Sequence, residues 1–402
     1  MDSRIAHVSL APAARRAVAD ASPCEPLLAV EGARVILGGS DAAFGLVNPV
    51  VPAATSLFGP RGVCAAPDGS LWVADTGHHR LLGWRTLPER DGAPADWLIG
   101  QPAFDREGRN AHGPVGAATL NVPTGICVCG DGLAVADAWN HRVLIWRERP
   151  TRSHQPADVV LGQADFSAGE PNRGTATPEA DTLFWPYCVA WDGARLWVAD
   201  TGNRRVLAWD RLPRRRGEPA NLVLGQPDFR HRDENAGGSP SAASLRWPHA
   251  ITFPAGGVAV ADAGNNRLML WHRPPMHDHQ ACDVIVGQAD VASVEHNRGN
   301  YYPDAASLNM PYGAAAEGDW LLVADTANSR LLAWHLDALG RPGPAAAALA
   351  AQPDWSAKGD NRWQPAARDS VCWPYSIALH GDTALIADSG NNRVLLWGLH
   401  GH

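Results

Sequence analysis

The chain has 402 residues, 45% hydrophobic and 19% charged, with a formal net charge of -8. This supplies ample core, argues against general attraction to nucleic acid or an anionic membrane, and contains no run that reads as a transmembrane span. Seven cysteines, an odd number without disulfide-scaffold density, fit reduced thiols.

Residues 1–33 match nothing later in the chain and are Ala/Pro-rich, as expected of a tail or surface strap. Their scattered charge and lack of an apolar core segment predict a cytoplasmic protein. Low Lys beside abundant Ala, Arg and Pro suggests a GC-rich bacterial genome.

Arg34–Asp41 (RVILGGSD) begins the periodic part, residues 34–402, read as one domain. Related runs follow at Trp97–Gln101, Val159–Phe166, Leu222–Phe229, Val284–Asp290 and Leu349–Trp355. Between them lie six hairpin signatures, typified by Leu196–Trp209 (LWVADTGNRRVLAW): an apolar run, a polar turn and a second apolar run ending in Trp. Each carries an Asp, an Arg five residues on and a Trp four further: Asp75/Arg80/Trp84, Asp137/Arg142/Trp146, Asp200/Arg205/Trp209, Asp262/Arg267/Trp271, Asp325/Arg330/Trp334 and Asp388/Arg393/Trp397. Successive Asp residues are 62 or 63 positions apart, so one supersecondary unit repeats. The Asp is expected to bond turn amides while the Arg reaches back to pair with it, an architectural clasp, since no enzyme needs its acid six times.

A Pro precedes each hairpin, at 60, 123, 186, 248, 311 and 374, where an innermost strand would start. An Asn recurs ten residues after the outer-strand Gly position, at Asn48, Asn110, Asn172, Asn235, Asn297 and Asn361, and reads as a loop-pinning residue. The final hairpin lacks a following outer strand, whereas residues 34–41 form one without a hairpin before it. Pairing those two ends closes a ring and removes open sheet edges. The predicted fold is all-β: a six-bladed propeller with four antiparallel strands per blade, the N-terminal strand completing the last.

The run apolar-x-Val-Ala-Asp-Thr-Gly-Asn-x-Arg-Val-Leu-x-Trp resembles the NHL repeat, and six such units cover residues 34–397. The resemblance implies a six-bladed propeller. It does not imply one function, because the family includes RNA-binding and protein-binding modules and a lyase acting on amidated peptide precursors. That lyase holds zinc through histidines at strand starts of this type; here only His249 stands at such a position, so a three-histidine site does not carry over.

Positions that only build the fold should agree across blades, and positions that build a site should differ. The residue after each Pro differs most: Arg61, Thr124, Tyr187, His249, Tyr312 and Tyr375. These strand starts converge on the mouth of the central channel. Arg61 is read as an anion clamp, His249 as a general base or the single best metal ligand, and the tyrosines as hydrogen-bond donors or general acids. Thr124 joins them as a ligand contact. Trp185, Trp247 and Trp373 are expected to wall the pocket, with small following residues leaving space. The alternative is a plug in which these side chains bond only one another.

The expected partner is a small molecule, bound or turned over, with at most one divalent metal that no motif requires. A second class, a platform for protein or RNA, remains open, with nucleic acid disfavoured by charge. Weaker candidates are metal binding by His272, His277, His279 and Cys282, the Cys127-x-Cys129 pair, and Cys188 as a nucleophile. The Arg211–Arg216 run reads as a solvated rim on the far face.

Overall fold

In the computed structural model, which describes residues 24–39 and 50–400, each repeat folds into an antiparallel blade. Blades 1 to 6 have their innermost strands at Gly62–Ala65, Pro123–Cys129, Pro186–Trp191, Pro248–Thr252, Pro311–Glu317 and Pro374–His380. In blade 3 the hairpin strands Leu196–Asp200 and Arg205–Trp209 pair from Leu196↔Trp209 to Asp200↔Arg205. Both strands are buried throughout, because neighbouring blades cover both faces of the sheet; hence the runs are continuously apolar rather than alternating. The turn between them is a single 3-10 turn, Thr201–Asn203, closed by Arg204 at φ 56°.

Ring closure occurs as the missing strand implied: Val35–Gly38 pairs antiparallel with Arg393–Gly398, from Val35↔Leu396 to Gly38↔Arg393. Residues 40–41 of the RVILGGSD run, Asn48 and residues 1–23 lie outside the described residues. The segment before the closing strand also completes a pattern. In blades 1 to 5 the hairpin Trp indole donates to a carbonyl nine or ten residues later, as Trp209 does to Glu218 at 2.9 Å. Trp397 donates instead to Ala29, at 2.8 Å. Glu25–Pro26 then adds a parallel strand beside Ala348–Ala350, giving blade 5 a fifth strand.

Burial is organised between blades. Six apolar clusters lie one at each interface between neighbouring blades. The centre is left to the innermost strands.

The Asp–Arg clasp sets where those strands begin. Asp200 Oδ2 accepts from Arg205 Nε and Asn203 Nδ2, each at 2.8 Å, and all six pairs close at 2.6–3.0 Å with both side chains buried. The other oxygen serves a different purpose from the one expected. It accepts no amide of its own turn but that of a residue entering the inner strand, Phe184 in blade 3 at 2.7 Å, and the same holds in every blade. The inner strand enters directly beside the carboxylate, so its amide takes that oxygen. The five described loop Asn residues form reciprocal amide pairs with a turn Asn, such as Asn172 with Asn203 at 3.0 and 2.8 Å. In blade 1 the turn carries His78, whose Nδ1 lies 2.8 Å from Asp75 Oδ2.

Candidate functional site at the channel mouth

The side chains at the strand starts enter the channel because of a register slip. In blades 3 to 6 the pairing jumps from Pro186 to Cys188, Pro248 to Ala250, Pro311 to Gly313 and Pro374 to Ser376. The skipped residue is bulged out of the ladder, a device that re-aims a side chain. Those skipped residues are Tyr187, His249, Tyr312 and Tyr375. The residue before Pro is also unusual, taking a left-handed φ of 50–55° at Gly59, Val122, Trp185, Met310 and Trp373, although a following Pro favours extended backbone.

A side chain from the preceding blade holds that conformation. Val122 N–H donates to His79 Nδ1 at 3.0 Å, Trp185 to His141 Nδ1 at 3.2 Å, Met310 to Asn266 at 2.8 Å, Trp373 to Ser329 at 3.3 Å and Gly59 to Asn392 at 2.8 Å. At the sixth place Arg204 has no acceptor to offer. Trp247 turns its amide to Asp262 instead, at 3.3 Å, and alone escapes the positive φ.

The aromatic side chains form a chain of stacked planes around the mouth. Ring centroids lie 4.9 Å apart for Tyr187–His249, 4.3 Å for His249–Tyr312 with planes at 16°, and 4.7 Å for Tyr312–Tyr375. Arg61 caps the series, its guanidinium carbon 4.7 Å from the Tyr375 ring centroid. All five border a cavity of about 310 Å³ that runs down the channel past Cys127 to Glu317 at its far end. The side chains therefore do both things that had been opposed as alternatives: they pack on one another and they wall an open space.

The collar is cationic and rich in donors. Arg61 makes no ion pair among the described residues. His249 Nδ1 lies 3.0 Å from the Trp247 carbonyl, so it carries the proton and leaves Nε2 as an acceptor. Burial, and secondarily the Arg61 charge, holds the imidazole pKa down at about 4. Burial likewise raises the Tyr312 and Tyr375 phenols above their usual range, so both keep their protons as donors. A neutral His249 with so low a pKa accepts a hydrogen bond well and abstracts a proton poorly near neutrality. No group of three or more His, Cys, Asp or Glu side chains suited to a metal occurs among the described residues.

Other expected residues fall elsewhere. Thr124 is only 1% exposed, and its hydroxyl spans blades 2 and 3, 3.3 Å from the Pro186 carbonyl. In blades 1, 3 and 5 that link comes from the hairpin instead, as Thr76 reaches Pro123 at 2.7 Å. Ala138 cannot supply it in blade 2, so Thr124 turns away from the channel. Trp185, Trp247 and Trp373 do not border the cavity; they lie half out on the surrounding face, 37–42% exposed. The small residues after the bulge answer to backbone contact rather than ligand space: a Cβ on Gly125 would sit 2.6 Å from Cys188 Cα.

Cys188 cannot serve as a nucleophile near neutral pH, since burial pushes its thiol up to about 12. Cys129 is raised to the same value and Cys127 well beyond its usual range, again by burial. His272 and His277 are solvent-exposed. In the Arg-rich loop, on the face away from the mouth, Arg211 pairs with Glu218 at 2.9 Å while the Arg214 and Arg215 amides donate to the same carboxylate. Ser376, one of the small residues expected to leave space, borders the cavity, and its buried hydroxyl has no partner among the described residues.

The profile described as NHL repeat matches residues 59–84 and 120–146, which span the hairpins of blades 1 and 2. The protein is an NHL-repeat β-propeller. The same Asp, Arg and Trp recur in its other four blades. No curated protein matches this NHL propeller in sequence. Among solved structures it is similar to a protein of unknown function from Bacteroides thetaiotaomicron, at 12% identity over 91% of this chain and 76% of that one, with a TM-score of 0.53. It is also similar to Kuenenia stuttgartiensis hydrazine synthase (13% identity, 87% of this chain and 98% of that one, TM-score 0.47) and to virginiamycin B lyase from Staphylococcus aureus (9%, 87% and 98%, TM-score 0.45). At these identities the likeness concerns the fold alone. No helix among the described residues is long and apolar enough to cross a membrane.

Proposed function

We propose that this NHL propeller binds a small anionic or carbonyl-bearing molecule at the channel mouth. The observation that carries the proposal is Arg61, a guanidinium bordering the cavity without a carboxylate partner among the described residues, beside phenols held in their donor form. A cation left without a counter-ion in a concave, partly desolvated place favours an anion there. His249 Nε2 then accepts from one of the ligand's remaining polar atoms. The same donors would polarise a bound carbonyl, so turnover needs only a reactive group that the ligand itself brings. All seven cysteines are free, which fits a cytoplasmic, reducing setting.

The test is a calorimetric and thermal-shift screen of small carboxylates and keto acids on the full chain and on Arg61→Gln. Loss of a charge-assisted contact should weaken binding at least about tenfold. A screen with no ligand whose affinity depends on Arg61 would sink the proposal.

A second reading, a platform for a protein partner, draws on the aromatic residues exposed around the mouth, Trp185, Trp247 and Trp373. Under it, replacing the three by Ser abolishes partner capture while Arg61→Gln leaves capture intact.

A further inference from the structure

The collar is not a closed ring. Five of the six strand starts contribute a plane to the stack, in the order Tyr187, His249, Tyr312, Tyr375, Arg61. The sixth, in blade 2, contributes none, because Thr124 is drawn into the interface with blade 3 and the wall there is Gly125. The two ends of the open collar, the Tyr187 ring and the Arg61 guanidinium, therefore stand on either side of an unfilled position. Occupied neighbours around the collar are spaced 4.3–4.9 Å apart, and the missing member leaves the place of one such neighbour between Tyr187 and Arg61. One planar group stacked at ordinary ring-to-ring distances of about 4.5–7 Å fills that place.

Resting on the small-molecule reading above, we infer that the ligand of this mouth carries a planar unsaturated ring, which takes the vacant blade 2 position between Tyr187 and Arg61 and presents its anionic or carbonyl group to the Arg61 end. The chemistry of the two ends supports this choice over a saturated ligand. Tyr187 offers a π-face on one side. The guanidinium, planar and weakly hydrated, stacks on a π-system and pairs with an anion at once. A carbohydrate or aliphatic acid meets the charge and can lay C–H groups on the Tyr187 face, but it has no π-system for the guanidinium to stack on. Gly125 fits the same account: its packing against Cys188 leaves no room for a Cβ, so no side chain at this point competes for the slot.

The experiment compares benzoate with cyclohexanecarboxylate, anions of equal charge and similar size of which only the first is planar, by ligand-observed NMR titration against the full chain. Benzoate should bind at least about tenfold more tightly. Tyr187→Leu should bring the two affinities close together, Tyr187→Phe should preserve the preference, and Arg61→Gln should weaken both. Melting temperatures confirm that each variant is folded. Equal affinities that still depend on Arg61 would overturn the planar slot while leaving the anion site standing, as would a preference that survives in Tyr187→Leu. No binding of either anion would overturn both.

Discussion

At the hairpin tips the six Asp–Arg pairs are near copies, while at the strand starts, on the same face of the propeller, no more than three of the six side chains are alike. The two regions are tied together, since the Asp that receives the Arg also receives the amide entering the inner strand. One region is therefore the jig and the other the tool it holds. Where a function must be placed on a symmetric scaffold, departures from symmetry are informative only if the scaffold itself does not need them. Thr124 breaks the pattern by making a link that Ala138 cannot make, whereas Arg61 stacks on Tyr375 and has no carboxylate to answer its charge among the described residues.

The sharpest way to break this comparison is at the jig. Asp200→Ala strips a buried guanidinium of its counter-ion and should cost about 3–5 kcal/mol, read from the midpoint of chemical unfolding. Adding Arg205→Met should recover part of the loss, because the uncompensated charge goes too. If Asp200→Ala instead left the midpoint unchanged, the clasp would not be what holds the blade.

A smaller effect separates structural from functional asymmetry. Thr124→Val, nearly isosteric, should lose about 1 kcal/mol by removing the hydroxyl that bridges to Pro186. Ala138→Thr in the same chain, which copies Thr76 of blade 1, should restore the link from the hairpin side. Ligand affinity at the mouth should follow neither change, whereas Arg61→Gln should alter affinity and leave the midpoint in place. A Thr124→Val variant of full stability but impaired binding would return Thr124 to the site.

Much of this was legible in the chain. The 62- or 63-residue period, the hairpins, the closing strand and the divergent positions after Pro depend on local apolar pattern and on repetition, which a linear sequence displays directly. The direction in which a divergent side chain points was less legible. Thr124 takes over a link that Ala138, unlike Thr76, Thr201 and Thr326, cannot make; Ala263 shares that deficit while His249 of its blade stays in the channel, so the missing hydroxyl alone does not tell which way the side chain points. The placement of Trp185 and Trp373 goes with a left-handed φ before Pro, held by an acceptor 44 residues earlier in the chain. Such a contact exists only once the blades are packed. The open position in blade 2 is likewise a property of the ring and not of any one repeat.

The gentlest perturbation uses those acceptors to ask whether the two regions can be uncoupled by pH. His79 and His141 accept backbone amides through Nδ1, and burial holds the pKa of each down at about 4. Unfolded histidine titrates near 6.5, so as pH falls below about 6.5 the unfolded chain takes up protons that the folded chain refuses. The stability these residues contribute is complete above that pH and is lost progressively down to about 4. Blades 4 and 6 carry Asn266 and Asn392 at the equivalent places, accepting the same amide without titrating. His79→Asn with His141→Asn should therefore leave the melting temperature near pH 7.5 almost unchanged and flatten its fall between about pH 6.5 and 4.5. His249, with its pKa held at about 4, stays mostly neutral down to about pH 5.5, as benzoate stays ionised, so benzoate affinity in the double variant should remain level from about pH 7.5 to about 5.5. An acid limb as steep as that of the parent would mean that the amide acceptors at Val122 and Trp185 do not govern acid stability, and that other groups in the folded chain do.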